Sequence, residues 1–245
     1  MRLTIVETGL VPEPIRADWP DYPDMFEALI APAAPDFTFE TVSPIKGERL
    51  PDPASLDAIL VTGSKAGVYD DEPWIPPLLD FIRWAAAEKT PQIGICFGHQ
   101  AIAQALGGQV IKSPKGWGIG RHSYAVTHTA PSTTEWLTPG SDTLALAVSH
   151  QDQVVVPPPG AIPLVSSDFT PHAGLVYAQG PAMSLQGHPE FSPNFSNALY
   201  RARLGSPLTA AQVETAAESF ADPLDAPIAA QWIANFLRAH AKPKE

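Results

Sequence analysis

The sequence has one cysteine in 245 residues, so no disulfide can form within the chain. Disulfides are rare in reducing compartments, and the amino terminus lacks the basic and then apolar segments of a secretory signal. No apolar run approaches the length of a membrane-spanning helix. We therefore expect a cytoplasmic protein that does not span a membrane.

Basic residues are also scarce, at 15 lysines and arginines against 26 aspartates and glutamates. The net charge of −11 argues against binding to nucleic acid or to anionic membranes, because both attract basic patches. The histidines show neither the H-E-x-x-H spacing nor the paired cysteines typical of zinc sites. We expect a small-molecule substrate and no metal or other cofactor.

The sequence also lacks internal repeats and any linker long enough to demand a domain boundary. With 44% hydrophobic residues, it can bury a sizeable core. We predict one domain, residues 1–245, in which residues 192–245 form a helical carboxyl-terminal extension.

The first half of the chain alternates short apolar runs with helical patterns. Strands are predicted at Leu3–Val6, Phe37–Val42, Ala58–Val61 and Gln92–Ile95, with helices at Tyr22–Ile30 and Pro73–Ala87 between them. This alternation predicts an α/β fold with three layers, in which helices flank a mainly parallel central sheet.

Beyond Gly108 the pattern changes to short strand candidates, such as Ser123–Thr129, separated by proline and glycine turns. They predict a small antiparallel extension of the sheet. Three helices are predicted at the end of the chain, at Asn194–Arg203, Thr209–Phe220 and Ala226–Ala239. The apolar face of the last helix is expected to pack on the sheet of its own chain.

The cysteine stands in the segment G-I-C-F-G-H-Q, Gly94–Gln100, between a buried strand and a run with helical spacing. Small residues two before and two after Cys96 allow the sharp strand-to-helix turn called a nucleophile elbow. The amino-terminal end of the following helix favours the thiolate. The alternative is that Cys96 is a small buried hydrophobic side chain, which is common for a lone cysteine.

A cysteine nucleophile needs a base and a third group that orients the base. His188 and Glu190 are the best pair in the sequence, because they lie just beyond an apolar strand end and side chains two apart in extended backbone point the same way. A carboxylate beside an imidazole holds its tautomer and favours the imidazolium. A surface His-Pro-Glu turn is the alternative.

Two motifs together resemble a known enzyme family. Gly94–Gln100 and the segment Q-G-H-P-E, Gln186–Glu190, are similar to the class I, or triad, glutamine amidotransferases. A third segment, S-H-Q-D-Q-V at Ser149–Val154, resembles the glutaminase domain of GMP synthase. The chain is also similar to the stand-alone branch of the family that includes the plant γ-glutamyl peptidases. The resemblance implies a flavodoxin-like form of the α/β fold.

The resemblance implies a catalytic triad of Cys96, His188 and Glu190, in which the cysteine attacks a side-chain amide. It also implies an oxyanion hole, made by the backbone N–H group of Phe97 and that of Gly63 or Ser64. The family has a second glycine where this chain has a serine in the latter loop, so which N–H group points inward stays open.

Four residues are implied to bind the substrate: Gln100, Ser149, His150 and Gln151. Gln100 matches the glutamine of the family's elbow that contacts substrate. The other three lie in the segment that borders the family's glutamine pocket.

The reaction implied is cleavage of a γ-glutamyl amide through a γ-glutamyl thioester on Cys96, with the leaving group open. It is ammonia if the chain is a glutaminase subunit that serves a separate synthetase, and an amine or peptide if the chain is a self-sufficient hydrolase, which we slightly favour. We expect the glutaminase-like fold to use all 245 residues, with no room among them for a fused acceptor domain. A module that binds a γ-glutamyl metabolite without turnover is a third reading, and the joint presence of Cys96, His188 and Glu190 speaks against it. A cysteine-dependent α/β hydrolase is disfavoured by the order and spacing of the His-Pro-Glu motif.

Overall fold

The computed structural model describes residues 1–127, 135–137 and 142–242. The last two residues of the predicted strand Ser123–Thr129 lie outside the described residues. In the described part of the chain, no helix is long and apolar enough to cross a membrane. Nor does that part contain a group of three or more His, Cys, Asp or Glu side chains arranged to hold a metal ion.

The strands of the described residues are β1 (Arg2–Val6), β2 (Thr38–Val42), β3 (Ala58–Val61), β4 (Gln92–Ile95), β5 (Gln109–Lys112), β6 (Gly118–Val126), β7 (Thr143–His150), β8 (Asp152–Val156), β9 (Ile162–Ser166), β10 (Gly174–Tyr177) and β11 (Ala182–Leu185). The α-helices are α1 (Tyr22–Ile30), α2 (Ile75–Ala87), α3 (Phe97–Ala105), α4 (Pro193–Ala202), α5 (Ala210–Glu218) and α6 (Ala226–Ala239). Short 3₁₀ helices occupy Glu13–Asp18, Pro44–Lys46, Pro53–Ser55 and Ser219–Ala221.

Nine of these strands form one mixed sheet in the order β2-β1-β3-β4-β11-β10-β9-β6-β7. The five strands from β2 to β11 are parallel. The remaining four pair antiparallel, and β5 and β8 form a separate two-stranded ribbon. The predicted α/β class, with a parallel centre and an antiparallel extension, is confirmed.

The parallel half is covered by helices on both faces because its strands are apolar on both sides. Ile59 and Val61 of β3 pack in the cluster that contains α2 and α3. Ala58 and Leu60, which alternate with them, pack in the cluster that contains α1 and α6. Trp232 of α6 is fully buried there, as expected of a last helix that packs on its own sheet.

Strand β6 begins at Gly118, five residues before the predicted start at Ser123. The glycine-rich residues 118–122 do not have the pattern of a strand. They nevertheless pair with β7, and Gly118 lies opposite His150. A β-carbon at Gly118 would lie 2.7 Å from the Phe169 ring, so a close approach requires the glycine. The predicted helix from Thr209 is present as α5, and Thr209 and Gln212 form a capping box at its start.

Candidate active site

Cys96 lies on the turn between β4 and α3, at the carboxyl edge of the parallel strands. Its φ of 54° and ψ of −103° are unusual for a residue with a β-carbon. The turn is held by two backbone bonds, from Cys96 N to the Leu185 carbonyl at 2.8 Å and from Gly98 N to the Thr62 carbonyl at 3.2 Å. The sharp turn predicted around the cysteine is present.

The two glycines of the G-x-C-x-G frame are required by space. A β-carbon on Gly94 would lie 2.5 Å from the Gly98 carbonyl oxygen, and one on Gly98 would lie 2.2 Å from the Val61 carbonyl oxygen. Both obstacles are backbone atoms, which cannot move aside as the end of a side chain can. The helix therefore starts in direct contact with strand β3.

His188 and Glu190 are in contact, with imidazole Nδ1 2.7 Å from carboxylate Oε1. Both side chains are at least 95% buried, so the pair is not a surface turn. The backbone turns after His188, whose N–H donates to the Ala147 carbonyl at 2.8 Å. The contact is thus made across a turn, not along extended backbone as predicted. Phe191 stacks on the imidazole with ring centroids 3.9 Å apart and fixes its plane.

The electrostatics of the site favour a charged imidazole. Burial is the largest single influence on His188 and lowers its pKa. The negative charges of Glu190 and Cys96, and the hydrogen bond with Glu190, together outweigh burial and raise the pKa of His188 well above its usual value. His188 is therefore bonded to Glu190, and it borders the same cavity as Cys96.

Unpartnered backbone donors surround the cysteine. No described residue accepts a hydrogen bond from the backbone N–H of Gly63, Ser64 or Phe97. Gly63 lies against both reactive side chains, because a β-carbon on it would be 2.8 Å from Cε1 of His188 and 3.6 Å from Cβ of Cys96. Among the described residues, all three N–H groups are therefore without an acceptor, and Gly63 lies close to Cys96.

The loop that carries Gly63 is tied to the first strand. Thr8 donates its N–H to Thr62 Oγ1 at 3.0 Å and its hydroxyl to the Thr62 carbonyl at 2.9 Å. Gly9 allows this approach, since a β-carbon there would be 2.4 Å from the Gly63 carbonyl oxygen. The Ser64 hydroxyl accepts from Ala66 N at 3.2 Å and closes the turn.

Two cavities meet at Cys96. The Gln100 cavity, of about 340 Å³, is bounded by all four residues predicted to bind substrate, together with Tyr69, Lys112, Asp152 and Arg203. The Tyr22 cavity, of about 520 Å³, is bounded by His188 and by residues of the loop after β1. A larger apolar groove of about 960 Å³ runs past Trp84 and includes neither Cys96 nor His188, so size alone does not locate the site.

In the Gln100 cavity, the four predicted residues differ in what they do. Gln100 donates from Nε2 to the Asp152 carbonyl at 2.9 Å and to Gln186 Oε1 at 3.1 Å. Gln186 Nε2 then donates to Cys96 Sγ at 3.6 Å. Gln100 is therefore linked to the sulfur through one further amide.

His150 is buried, and its Nδ1 lies 3.2 Å from the Asp152 carbonyl. Burial, and to a lesser degree the charge of His122, lowers the pKa of His150 to about 3. The ring is neutral, with its proton on Nδ1, because a carbonyl oxygen only accepts. Gln151 and Ser149 line the same cavity.

Several residues that shape the cavities were not predicted from the sequence. Arg203 donates from Nη1 to Ser149 Oγ at 2.7 Å and lies over the Trp117 ring, 5.4 Å from its centroid. Tyr69 donates to Asp152 Oδ2 at 2.7 Å across the Gln100 cavity. The interactions of Arg203 and Tyr69 join distant parts of the chain, and no motif signals them. Gln186 stood within the Q-G-H-P-E motif and could have been found there.

The family is settled by comparison with known proteins. The model of the glutamine amidotransferase class-I family matches residues 39–202, which contain the elbow and the His-Pro-Glu motif. The chain belongs to the class-I glutamine amidotransferase family. Among relatives, it is 30% identical over 237 residues to a glutamine amidotransferase-like protein of Schizosaccharomyces pombe, covering 91% of this chain and 93% of the relative.

The names of other relatives describe different activities. The chain is 30% identical to γ-glutamyl peptidase 5 of Arabidopsis thaliana, over 60% of each chain. It is also 30% identical to one subunit of the glutamine-hydrolysing GMP synthase of Ignicoccus hospitalis, over 57% of this chain and 70% of that one. The crystal structure of a glutamine amidotransferase from Methylobacillus flagellatus has the same fold, with a TM-score of 0.75 at 22% identity over 100% of this chain and 96% of that one.

Proposed function

We propose that this family member is a cysteine hydrolase that cleaves a γ-glutamyl amide through a γ-glutamyl thioester on Cys96. The observation that carries the proposal is the position of His188, which is bonded to Glu190 and lies with Cys96 at the wall of one cavity, against the same Gly63. A nucleophile, a base and an orienting carboxylate in hydrogen-bonded series are the set that covalent acyl transfer needs.

In the proposed reaction, the Cys96 thiolate attacks the γ-carbonyl carbon, and the C–N bond of the amide breaks. The His188 imidazolium gives its Nε2 proton to the departing nitrogen. Water then gives a proton to the neutral imidazole and its oxygen attacks the thioester, which releases glutamate and restores thiolate and imidazolium. Glu190 holds the other ring proton on Nδ1 throughout, so that Nε2 faces the sulfur.

The tetrahedral intermediates carry a negatively charged oxygen that needs donors. We assign this role to the N–H of Phe97 and to that of Gly63 or Ser64, which no described residue uses. Donors that are fixed before the reaction lower the barrier by about 3 kcal/mol each. The bonds from Thr8 to Thr62 keep the Gly63 loop in place without substrate.

The γ-glutamyl group fits the Gln100 cavity by charge. Lys65, Lys112 and Arg203 bring positive charge for its α-carboxylate, and Asp70 and Asp152 bring negative charge for its α-ammonium group. Ser149 and Trp117 hold the Arg203 guanidinium in place before substrate arrives. We propose that Gln100, Ser149, His150 and Gln151 complete this binding site.

A second candidate is a glutaminase subunit that passes ammonia to a separate synthetase. The similarity to the GMP synthase subunit of Ignicoccus hospitalis, over 70% of that protein, favours it. Both candidates use the same thioester chemistry and differ in the leaving group and in the need for a partner. In either case, we propose that the protein acts in the cytoplasm as a single domain.

The test compares wild type with Cys96→Ser on glutamine and on γ-glutamyl dipeptides, measuring released ammonia and amine. Both proteins are also treated with a diazo-ketone analogue of glutamine and analysed by mass spectrometry. We expect turnover and an adduct on Cys96 in wild type only. Equal turnover by the two proteins would overturn the nucleophile assignment. An adduct without turnover would favour the partner-dependent form, and neither adduct nor turnover would favour a binding module.

A further inference from the structure

Cys96 stands between two cavities, and His188 borders only one of them, the Tyr22 cavity. We infer that the Tyr22 cavity receives the leaving amine, and that this amine is an apolar amino acid or short peptide whose carboxylate pairs with Arg16. The inference rests on the proposed function, because it names the half of the substrate that departs from the thioester.

The position of the proton donor, His188, decides which cavity holds the leaving group. The nitrogen that departs takes its proton from His188, so it must lie on the side of the sulfur that His188 occupies. The Gln100 cavity includes Cys96 but not His188, and it therefore suits the acyl group that stays on the sulfur. The amine must leave through the Tyr22 cavity.

The Tyr22 cavity is too large for ammonia alone. Its volume of about 520 Å³ exceeds that of the Gln100 cavity, which we assign to the whole glutamyl group. A molecule of the size of ammonia or water occupies about 30 Å³ in a liquid. The wall is formed mainly by apolar or aromatic side chains: Leu10, Val11, Tyr22, Ile45, Phe191 and Leu199. Such a wall stabilises an apolar side chain on the amine.

The charged groups at this cavity favour a negatively charged end. Three cations, Arg16, Lys65 and Arg203, and one carboxylate, Glu13, border it. Of the cations, Lys65 and Arg203 also border the Gln100 cavity, so Arg16 alone is specific to the leaving group. Arg16 donates from Nε to the Val11 carbonyl at 2.9 Å, which orients the guanidinium. Its terminal nitrogens have no ion-pair or hydrogen-bond partner among the described residues and can bind a carboxylate.

The first experiment measures kcat/KM of the wild-type protein for glutamine and for γ-glutamyl glycine, alanine, leucine and phenylalanine. We expect kcat/KM to rise along this series, with the phenylalanine substrate at least about tenfold above glutamine, because the cavity buries its ring. Cleavage of glutamine at the highest rate would overturn the inference and leave the proposed function standing. Cleavage of none of the substrates, without an adduct on Cys96, would overturn both.

The second experiment tests Arg16 with a matched pair of substrates, γ-glutamyl-phenylalanine and γ-glutamyl-phenethylamide, which lacks the carboxylate. We expect Arg16→Gln to lower the ratio of their kcat/KM values by about fivefold, the effect of one partly exposed charge pair. Arg201→Gln, an exposed arginine of α4 that borders neither cavity, is the control and should keep the ratio. If Arg16→Gln lowered both substrates equally, the carboxylate contact would be wrong.

Discussion

Cys96, the proposed nucleophile, has a backbone conformation that is costly for its residue type. A positive φ costs a non-glycine residue about 1–2 kcal/mol, and it persists only where the surroundings impose it. Here the bond to the Leu185 carbonyl and the close packing of Gly94 and Gly98 impose it. The strain places the sulfur at the boundary of both cavities, where a relaxed strand end would not.

Replacing Glu190 with glutamine removes the charge that keeps His188 protonated. The pKa of His188 should fall, because burial then faces less opposition. Since the imidazolium must protonate the departing nitrogen, activity is lost as pH rises through this pKa. Glu190→Gln should therefore move the high-pH limb of kcat/KM to lower pH, and lower kcat/KM at pH 7 by about tenfold or more.

The pH profile of hydrolysis between pH 5 and pH 10 is the measurement. Glu214→Gln, on the exposed side of α5, removes the same charge far from the site and should match wild type. A uniform loss of activity in Glu190→Gln, with both limbs of the profile in place, would show that Glu190 only supports packing.

At the scale of elements, the parallel strands bring the site together. Strands β1, β3, β4 and β11 end at the same edge of the sheet, and the residues that follow them meet there. This is the edge at which open α/β sheets bind ligands. Gly9, Gly94 and Gly98 let the backbone segments at this edge approach closely, so the site depends on backbone contacts as well as on its side chains.

Gly98→Ala tests the contact between helix α3 and strand β3. Its β-carbon would lie 2.2 Å from the Val61 carbonyl oxygen, so the first turn of α3 must move. We expect a loss of about 1–3 kcal/mol in the free energy of unfolding, measured with urea, and a loss of hydrolysis while the protein is still folded. Gly47→Ala is the control, because open space surrounds it and only its φ of 85° opposes the change. If both variants kept wild-type activity, the elbow would be more tolerant than its geometry implies.

Elements with local patterns could be predicted from the sequence, and long-range contacts could not. The apolar run of β3 and the frame around Cys96 are local, and their predicted strand and turn are confirmed. The predicted start of β6 was wrong, because the glycine-rich first residues of this strand show no alternation of apolar and polar side chains. The contacts of Tyr69 with Asp152, and of Arg203 with Ser149, span more than 50 residues and depend on how the elements pack.

Across the whole molecule, charge is distributed unevenly with respect to the site. The chain has a net charge of −11, yet the two cavities are bordered by four cations, Arg16, Lys65, Lys112 and Arg203, against three carboxylates, Glu13, Asp70 and Asp152. A cavity with positive charge inside an acidic protein concentrates anionic substrates at its mouth. This agrees with a γ-glutamyl substrate that carries carboxylates at both ends.

The stability of the whole molecule should depend on His99, which is fully buried behind the elbow with Nδ1 2.7 Å from Ser184 Oγ. Burial lowers the pKa of His99 to about 3, whereas histidine in an unfolded chain titrates near about 6.5. Between these two pKa values, only the unfolded chain binds a proton at His99, so the free energy of unfolding falls by about 1.4 kcal/mol for each pH unit of acidification. Above the pKa of the unfolded chain, this stability is fully retained. His99→Asn should remove this share of the pH dependence, giving a shallower slope of the unfolding free energy between pH 6 and pH 4. The stability that the variant loses at pH 8 measures packing and the hydrogen bond with Ser184, because the imidazole is neutral there in both states. Equal slopes for variant and wild type would mean that His99 takes up its proton in the folded protein.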